Sequence, residues 1–159
     1  MSEVSLWILI GLPGSGKSTW AQQFVNINQP LMLVSTDQIR AQLYGDAIIQ
    51  GEWLQIWSEV KQNFRRGSWA TQKGDFAGVL YDATNTRRKS RREVIQAART
   101  VGFTRLLAVW LDTPLVCCLH RNAQRSRQVP AEVICAMARQ LAGAPPHCNE
   151  GFDVLFRQH

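Results

Sequence analysis

The residues best suited to chemistry come early: Gly11-Leu12-Pro13-Gly14-Ser15-Gly16-Lys17-Ser18-Thr19. Gly11, Gly16, Lys17 and Ser18 satisfy every fixed position of G-x-x-x-x-G-K-[ST]. Glycines at this spacing let backbone N–H groups turn inward on phosphate oxygens, and a following helix adds the partial positive charge of its N-terminus. The chemistry implied is binding of a nucleoside triphosphate over Gly11, Pro13, Gly14, Ser15, Gly16, Lys17, Ser18 and Thr19. Lys17 would reach the β- and γ-phosphates and Ser18 would give one oxygen to Mg2+.

Three further groups fall where phosphoryl transfer needs them. Asp37 follows the apolar run Leu31–Ser35, and Arg40 lies three residues on, hence on the same face of a helix. A carboxylate there suits a general base for an acceptor hydroxyl, and it equally suits a helix cap; local sequence favours neither. Asp82 ends the apolar run Phe76–Tyr81, where an acid acts on Mg2+ directly or through water. Arg121 and Arg125 are four apart, so a helix would project both together. Planar guanidiniums grip phosphate oxygens in pairs, and over about 121–130 they would form a mobile basic lid that also contacts the nucleotide.

The elements that must position these groups follow from periodicity. Apolar runs at Val4–Ile10, Leu31–Ser35, Phe76–Tyr81, Phe103–Leu111 and Phe152–Phe156 read as strands. Helices are expected from Trp20, from Asp37 through Leu43, over Glu52–Gln72, from Arg87 to about Val101, from Pro114 toward Arg121, and from Pro130 to about Leu141. Gly45 and Gly51 bracket a loop. Within Glu52–Gln72, the stripe Trp53, Leu54, Ile56, Trp57, Val60 and Phe64, extended by Trp69, reads as core packing in preference to a base-stacking surface. The block Arg87–Arg92 opens its helix with charge of the wrong sign for the helix dipole; it reads as a solvated face, unless an anion offsets it. His120 has no metal-type partner nearby. The expectation is one α/β domain over 1–159: a P-loop NTPase fold with a mainly parallel sheet, flanking helices and a basic helical lid.

Composition narrows the setting. The chain has 159 residues and a net charge of +6, with eleven Lys and Arg against three acids between Thr84 and Arg139. That one-sided field suits nucleic acid or the nucleotide's own phosphates. The four cysteines make no C-x-x-C pair, no apolar run has the length of a bilayer span, and the N-terminal run leads straight into the phosphate loop. A cytoplasmic protein without membrane contact is expected. The guanine signature Asn-Lys-x-Asp is missing, which leaves ATP as the default donor.

Taken together, Gly11–Thr19, Ser35-Thr36-Asp37-Gln38-Ile39-Arg40, Tyr81-Asp82-Ala83-Thr84-Asn85, and Arg121-Asn122-Ala123-Gln124-Arg125 followed by Val129-Pro130 resemble the P-loop polynucleotide kinases. These include the bacteriophage 5′-hydroxyl kinase and the kinase modules of bacterial and animal end-healing enzymes. Glu150-Gly151-Phe152-Asp153 is similar to the family's closing segment, so the likeness runs from about Leu6 to Phe156. The resemblance implies ATP and Mg2+ as cofactors, a 5′-OH end of RNA or DNA as acceptor, and catalytic roles for Lys17, Asp37 and Arg125. It makes Asp37 the base for the 5′-hydroxyl, Arg40 the contact to the acceptor's neighbouring phosphate, and Asp82 and Asn85 acceptor-side positions. Arg125 becomes the lid arginine, with Arg121 its companion. No phosphatase or ligase module accompanies the kinase pattern. The related expectations are a P-loop kinase of a small-molecule or nucleotide-type hydroxyl, and a nucleotide-binding ATPase without an acceptor.

Overall fold

The computed structural model describes residues 2–27, 30–46 and 51–159. Part of the loop expected between Gly45 and Gly51 lies outside them. Five strands form one sheet: β1 (Ser5–Ile10), β2 (Leu31–Ser35), β3 (Gly78–Asp82), β4 (Arg105–Leu111) and β5 (Val154–Gln158). All pairings are parallel and the order is β2-β3-β1-β4-β5. β1 is central, so its sequence is apolar on both faces, as buried parallel strands must be.

Alternation along each strand then divides the core. Leu6, Ile8 and Ile10 share one side with Val79, Tyr81, Leu106, Ala108 and Trp110. Against this side pack α3 (Trp53–Gln72), α4 (Arg88–Thr100) and α6 (Ala131–Gly143), through Ile56, Val60, Phe64, Val94, Ala98, Ile134 and Leu141. Leu9, Leu80, Val109 and Leu111 face the other way, toward Ala21, Trp20 and Val25 of α1 (Lys17–Ile27). α2 (Thr36–Tyr44) follows β2 and α5 (Leu115–Ala123) follows β4. Every phosphate-directed group therefore leaves the carboxyl ends of the strands, where ligands of open α/β sheets gather.

The expected elements are present, with ends shifted by a few residues. α1 begins three residues early, at Lys17, so the phosphate loop passes directly into helix. A short 3₁₀ turn, Cys148–Glu150, was not legible; His147 caps it, accepting from the Asn149 N–H at 3.1 Å while Glu150 accepts from the His147 N–H at 3.0 Å.

Two expectations are corrected. Trp53, Leu54 and Trp69 of α3 are 44%, 79% and 62% exposed, so the core stripe narrows to Ile56, Val60 and Phe64, with Trp57 partly buried against it. The Arg87–Arg92 block is not uniformly solvated: Arg91 is completely buried. Its Nε donates to both carboxylate oxygens of Glu150 at 3.1 Å and Nη2 to Oε1 at 2.9 Å. Nη1 donates to the Asn85 and Thr86 carbonyls at 3.2 and 3.1 Å, and Nη2 to that of Ala144 at 2.7 Å. The offsetting anion is thus the chain's own Glu150, whose side chain is 1% exposed. Removing one member of a buried pair strands the other's charge, at about 3–5 kcal/mol. Glu150→Ala should lower the melting temperature by roughly 10 °C. Arg91→Ala should cost at least as much, because three carbonyls also lose their donor; a thermal melt within about 2 °C of wild type would contradict the brace.

Candidate active site

The phosphate loop is built so that side chains would obstruct it. Gly14 has φ +82°, and a Cβ there would lie 2.6 Å from the Cys118 carbonyl oxygen of α5. Gly16, at φ +99°, also takes a conformation that L residues rarely adopt. The Gly11 N–H donates to the Thr84 carbonyl at 3.0 Å and the Thr113 hydroxyl to the Ser15 carbonyl at 2.9 Å, which anchors the loop on both flanks. The Lys17 ammonium donates to the Gly11 and Leu12 carbonyls at 3.0 and 2.9 Å.

A cleft of about 1600 Å³ opens above the loop, lined by Lys17, Asp37, Arg40, Asp82, Asn85, Arg121 and Arg125, together with Arg127. It therefore gathers every candidate site side chain proposed from the sequence beyond the loop itself. Of the two roles open at Asp37, the capping bond is made by a neighbouring residue. Ser35 caps α2, its hydroxyl accepting from the Gln38 N–H at 3.3 Å, so the Asp37 carboxylate is free for other work. It lies between two guanidiniums: Arg40 Nη1 meets Oδ1 at 3.1 Å and Arg127 Nη2 meets Oδ2 at 2.7 Å. Asp82 does not cap the helix that follows it either, since α4 starts from Arg87 without a side-chain cap.

The lid differs from its expected form. α5 ends at Ala123, so only Arg121 is helical and Arg125 sits in the turn beyond. Arg121 Nη1 donates to the Gly14 carbonyl at 3.3 Å. The turn is closed by Asn122, which is buried: its Nδ2 donates to the Val129 carbonyl at 2.7 Å and its Oδ1 accepts from the Val129 N–H at 3.0 Å. Arg127 is the site residue that sequence reasoning missed: it lay inside the stretch already noted, but its partner Asp37 is 90 residues away. Asn122, which supports the turn from beneath, gave no more sign of its role, although its partner Val129 is only seven residues on. Asn85 takes φ +50°, a conformation Asn tolerates better than most residues, and its Nδ2 donates to the Leu9 carbonyl at 2.7 Å. Its amide thus fastens the loop after β3 to the end of β1.

Burial shapes the charges. It lowers the Lys17 pKa from 10.5 to about 8; Asp82, Cys118 and Asp37 oppose the shift, and Arg125 adds a smaller push downward. Burial likewise raises Asp82, with Lys17 opposing and Asp37 reinforcing. Two further atoms have capacity to spare: Ser15 Oγ and Arg40 Nε are buried without a hydrogen-bond partner. These features fit Mg-ATP. Phosphate oxygens would satisfy the loop and offset the cost of burying the Lys17 charge, and the Ser18 hydroxyl with Asp82 would supply hard oxygen donors for Mg2+. Among the described residues no three His, Cys, Asp or Glu side chains group as metal ligands.

Residues 6–144 match the model of the AAA domain family. The chain belongs to that family. Over 138 residues this AAA domain is 30% identical to the L-seryl-tRNA(Sec) kinase of Methanococcus maripaludis, a match covering 81% of this chain and 49% of that protein. The chain thus spans about half the length of that curated relative. Its fold is shared by a chain of the Pnkp1/Rnl/Hen1 RNA repair complex, with a TM-score of 0.73, 24% identity, and coverage of 96% of this chain and 47% of the other. A gluconokinase from Sinorhizobium meliloti also shares it, with a TM-score of 0.62, 13% identity, and coverage of 99% and 83%. Among the described residues no helix is long and apolar enough to cross a membrane.

The depressed Lys17 pKa gives a measurable linkage. In the free protein the ammonium form costs stability below pH 8, and that cost fades as pH rises from about 8 toward 10.5. Bound phosphates favour the charged form, so nucleotide binding should take up close to one proton at about pH 9 and almost none at about pH 7. Affinity should weaken above about pH 8. Calorimetric titration in buffers of different ionisation enthalpy checks this, and equal proton uptake at both pH values would contradict it.

Proposed function

We propose that this chain transfers the γ-phosphate of Mg-ATP to the 5′-hydroxyl end of RNA or DNA. The observation that carries the reading is the Asp37 carboxylate held between Arg40 and Arg127 on the wall of the phosphate-loop cleft. A base flanked by cations suits an acceptor whose reacting hydroxyl lies next to a phosphate. The sequence resemblance, the 30% identity to a kinase named for a tRNA substrate and the fold shared with an RNA repair complex support it.

In this mechanism the acceptor oxygen attacks the γ-phosphorus in line, the bond to the β,γ-bridging oxygen breaks, and the hydroxyl proton passes to Asp37. Lys17 and Arg125 hydrogen-bond the phosphate oxygens on which charge accumulates, and Arg121 steadies the donor from the lid. Arg40 holds the acceptor's adjacent phosphate. Asp82 and the Ser18 hydroxyl hold Mg2+, Asp82 directly or through water; the ion supplies charge neutralisation on the donor phosphates. Asn85 keeps the loop after β3 in place beside Asp82.

The 30% identity also favours a second reading, in which the hydroxyl belongs to a seryl group carried on tRNA. The two are separated by offering γ-labelled ATP with 5′-OH oligoribonucleotides, 5′-OH oligodeoxynucleotides, seryl-tRNA and gluconate. Label on the oligonucleotide 5′ end is expected. Arg40→Ala should lower kcat/KM about 10–100-fold for a 5′-OH nucleotide bearing a 3′-phosphate, the loss of a charge-assisted contact, and much less for a nucleoside without one. Transfer to seryl-tRNA or gluconate alone would overturn the reading.

A further inference from the structure

α3 carries two aromatic surfaces with different surroundings. Phe64 is wholly buried and packs edge-on to Tyr81 and Phe103 at 5.1 and 6.0 Å. Trp53 and Trp57, one turn apart at the start of the helix, line the cleft instead. Trp53 is 44% exposed. Their rings lie 6.3 Å apart and nearly parallel, at 14°. Trp57 also meets Phe64 edge-on at 6.4 Å, so the outer indole is backed by a ring that continues into the core.

This pair is fixed relative to the candidate base. The Tyr44 hydroxyl, at the end of α2, donates to Gln55 Oε1 at 2.7 Å and accepts from the Glu52 N–H at 3.2 Å, fastening the helix of Asp37 and Arg40 to the start of α3. Strand order separates the pair from the lid. α3 packs on β2 and β3, whereas Arg121 and Arg125 follow β4, on the other side of central β1. A flat aromatic surface on the Asp37 side of a cationic cleft suits a heterocycle attached to a phosphate chain.

We propose that Trp53, backed by Trp57, stacks on the nucleobase of the acceptor's 5′-terminal nucleotide and thereby sets the enzyme's preference for nucleic acid over small hydroxyl compounds. The proposal rests on the polynucleotide reading above. Stacking of one base changes binding by roughly 5–150-fold, because every 1.4 kcal/mol is tenfold.

The test compares two 5′-OH oligonucleotides, identical except that one has an abasic 5′-terminal residue, with wild type, Trp53→Phe and Trp53→Leu. Wild type should favour the base-bearing end by about tenfold or more in kcat/KM. Trp53→Phe should keep most of that preference and Trp53→Leu should lose it, with KM for ATP unchanged in both. An undiminished preference in a folded Trp53→Leu protein would overturn the platform while leaving the polynucleotide reading intact. A raised KM for ATP would assign the stack to the donor base and overturn it likewise. Failure of wild type to label any oligonucleotide would overturn the polynucleotide reading and the platform with it.

Discussion

The Asp37 carboxylate is the contact through which the two sides of the cleft are joined. Arg40 reaches it from the same helix, beyond β2, and Arg127 from the turn beyond α5. The lid is therefore referenced both to the phosphate loop, through Arg121 and the Gly14 carbonyl, and to the candidate base. Two cations on one carboxylate keep it oriented; on the proposed reading they would also give a phosphate-bearing acceptor guanidiniums to engage. Because Asp37 is half exposed, the stabilising worth of these pairs is small, and their consequence is geometric.

Behind this exposed network lies a rigid one. Arg91 and Glu150, both buried, tie the loop after β3 to the segment before β5. A buried ion pair is costly to desolvate and contributes little net stability, so its worth here is in fixing where Asn85 and Thr86 sit. Asn85 in turn holds the Leu9 carbonyl, and the Thr84 carbonyl holds Gly11. The phosphate loop, Asp82 and the C-terminal segment thus form one braced unit.

Much of this was legible in the chain. The inner strands β1, β3 and β4 announced themselves by apolar runs, because strands buried on both faces need little else, and the loop motif marked where phosphate would bind; the edge strands β2 and β5 are less buried, and β5 ends in the exposed Arg157 and Gln158. Asp37, Arg40 and Asp82 were found because the ends of apolar runs mark the carboxyl edge of a parallel sheet. Most of what stayed hidden depends on distant partners. Arg127 is 90 residues from Asp37, and Arg91 is 59 residues from Glu150, so a basic block gave no sign of which guanidinium turned inward. Helical spacing grouped Trp53 with Phe64, yet only packing decides which rings reach the core. Arg125 was expected in helix beside Arg121; the reciprocal bonds of Asn122 to Val129 close the turn instead.

The central claim is that Asp37 receives the acceptor proton. The direct measurement is single-turnover transfer by Asp37→Asn, which keeps the side chain's size and removes its basicity, alongside nucleotide affinity of the same protein. The account predicts nucleotide binding within a few-fold of wild type and a transfer rate lower by about 10²–10⁴. Transfer at close to the wild-type rate would contradict it and return Asp37 to a purely structural role.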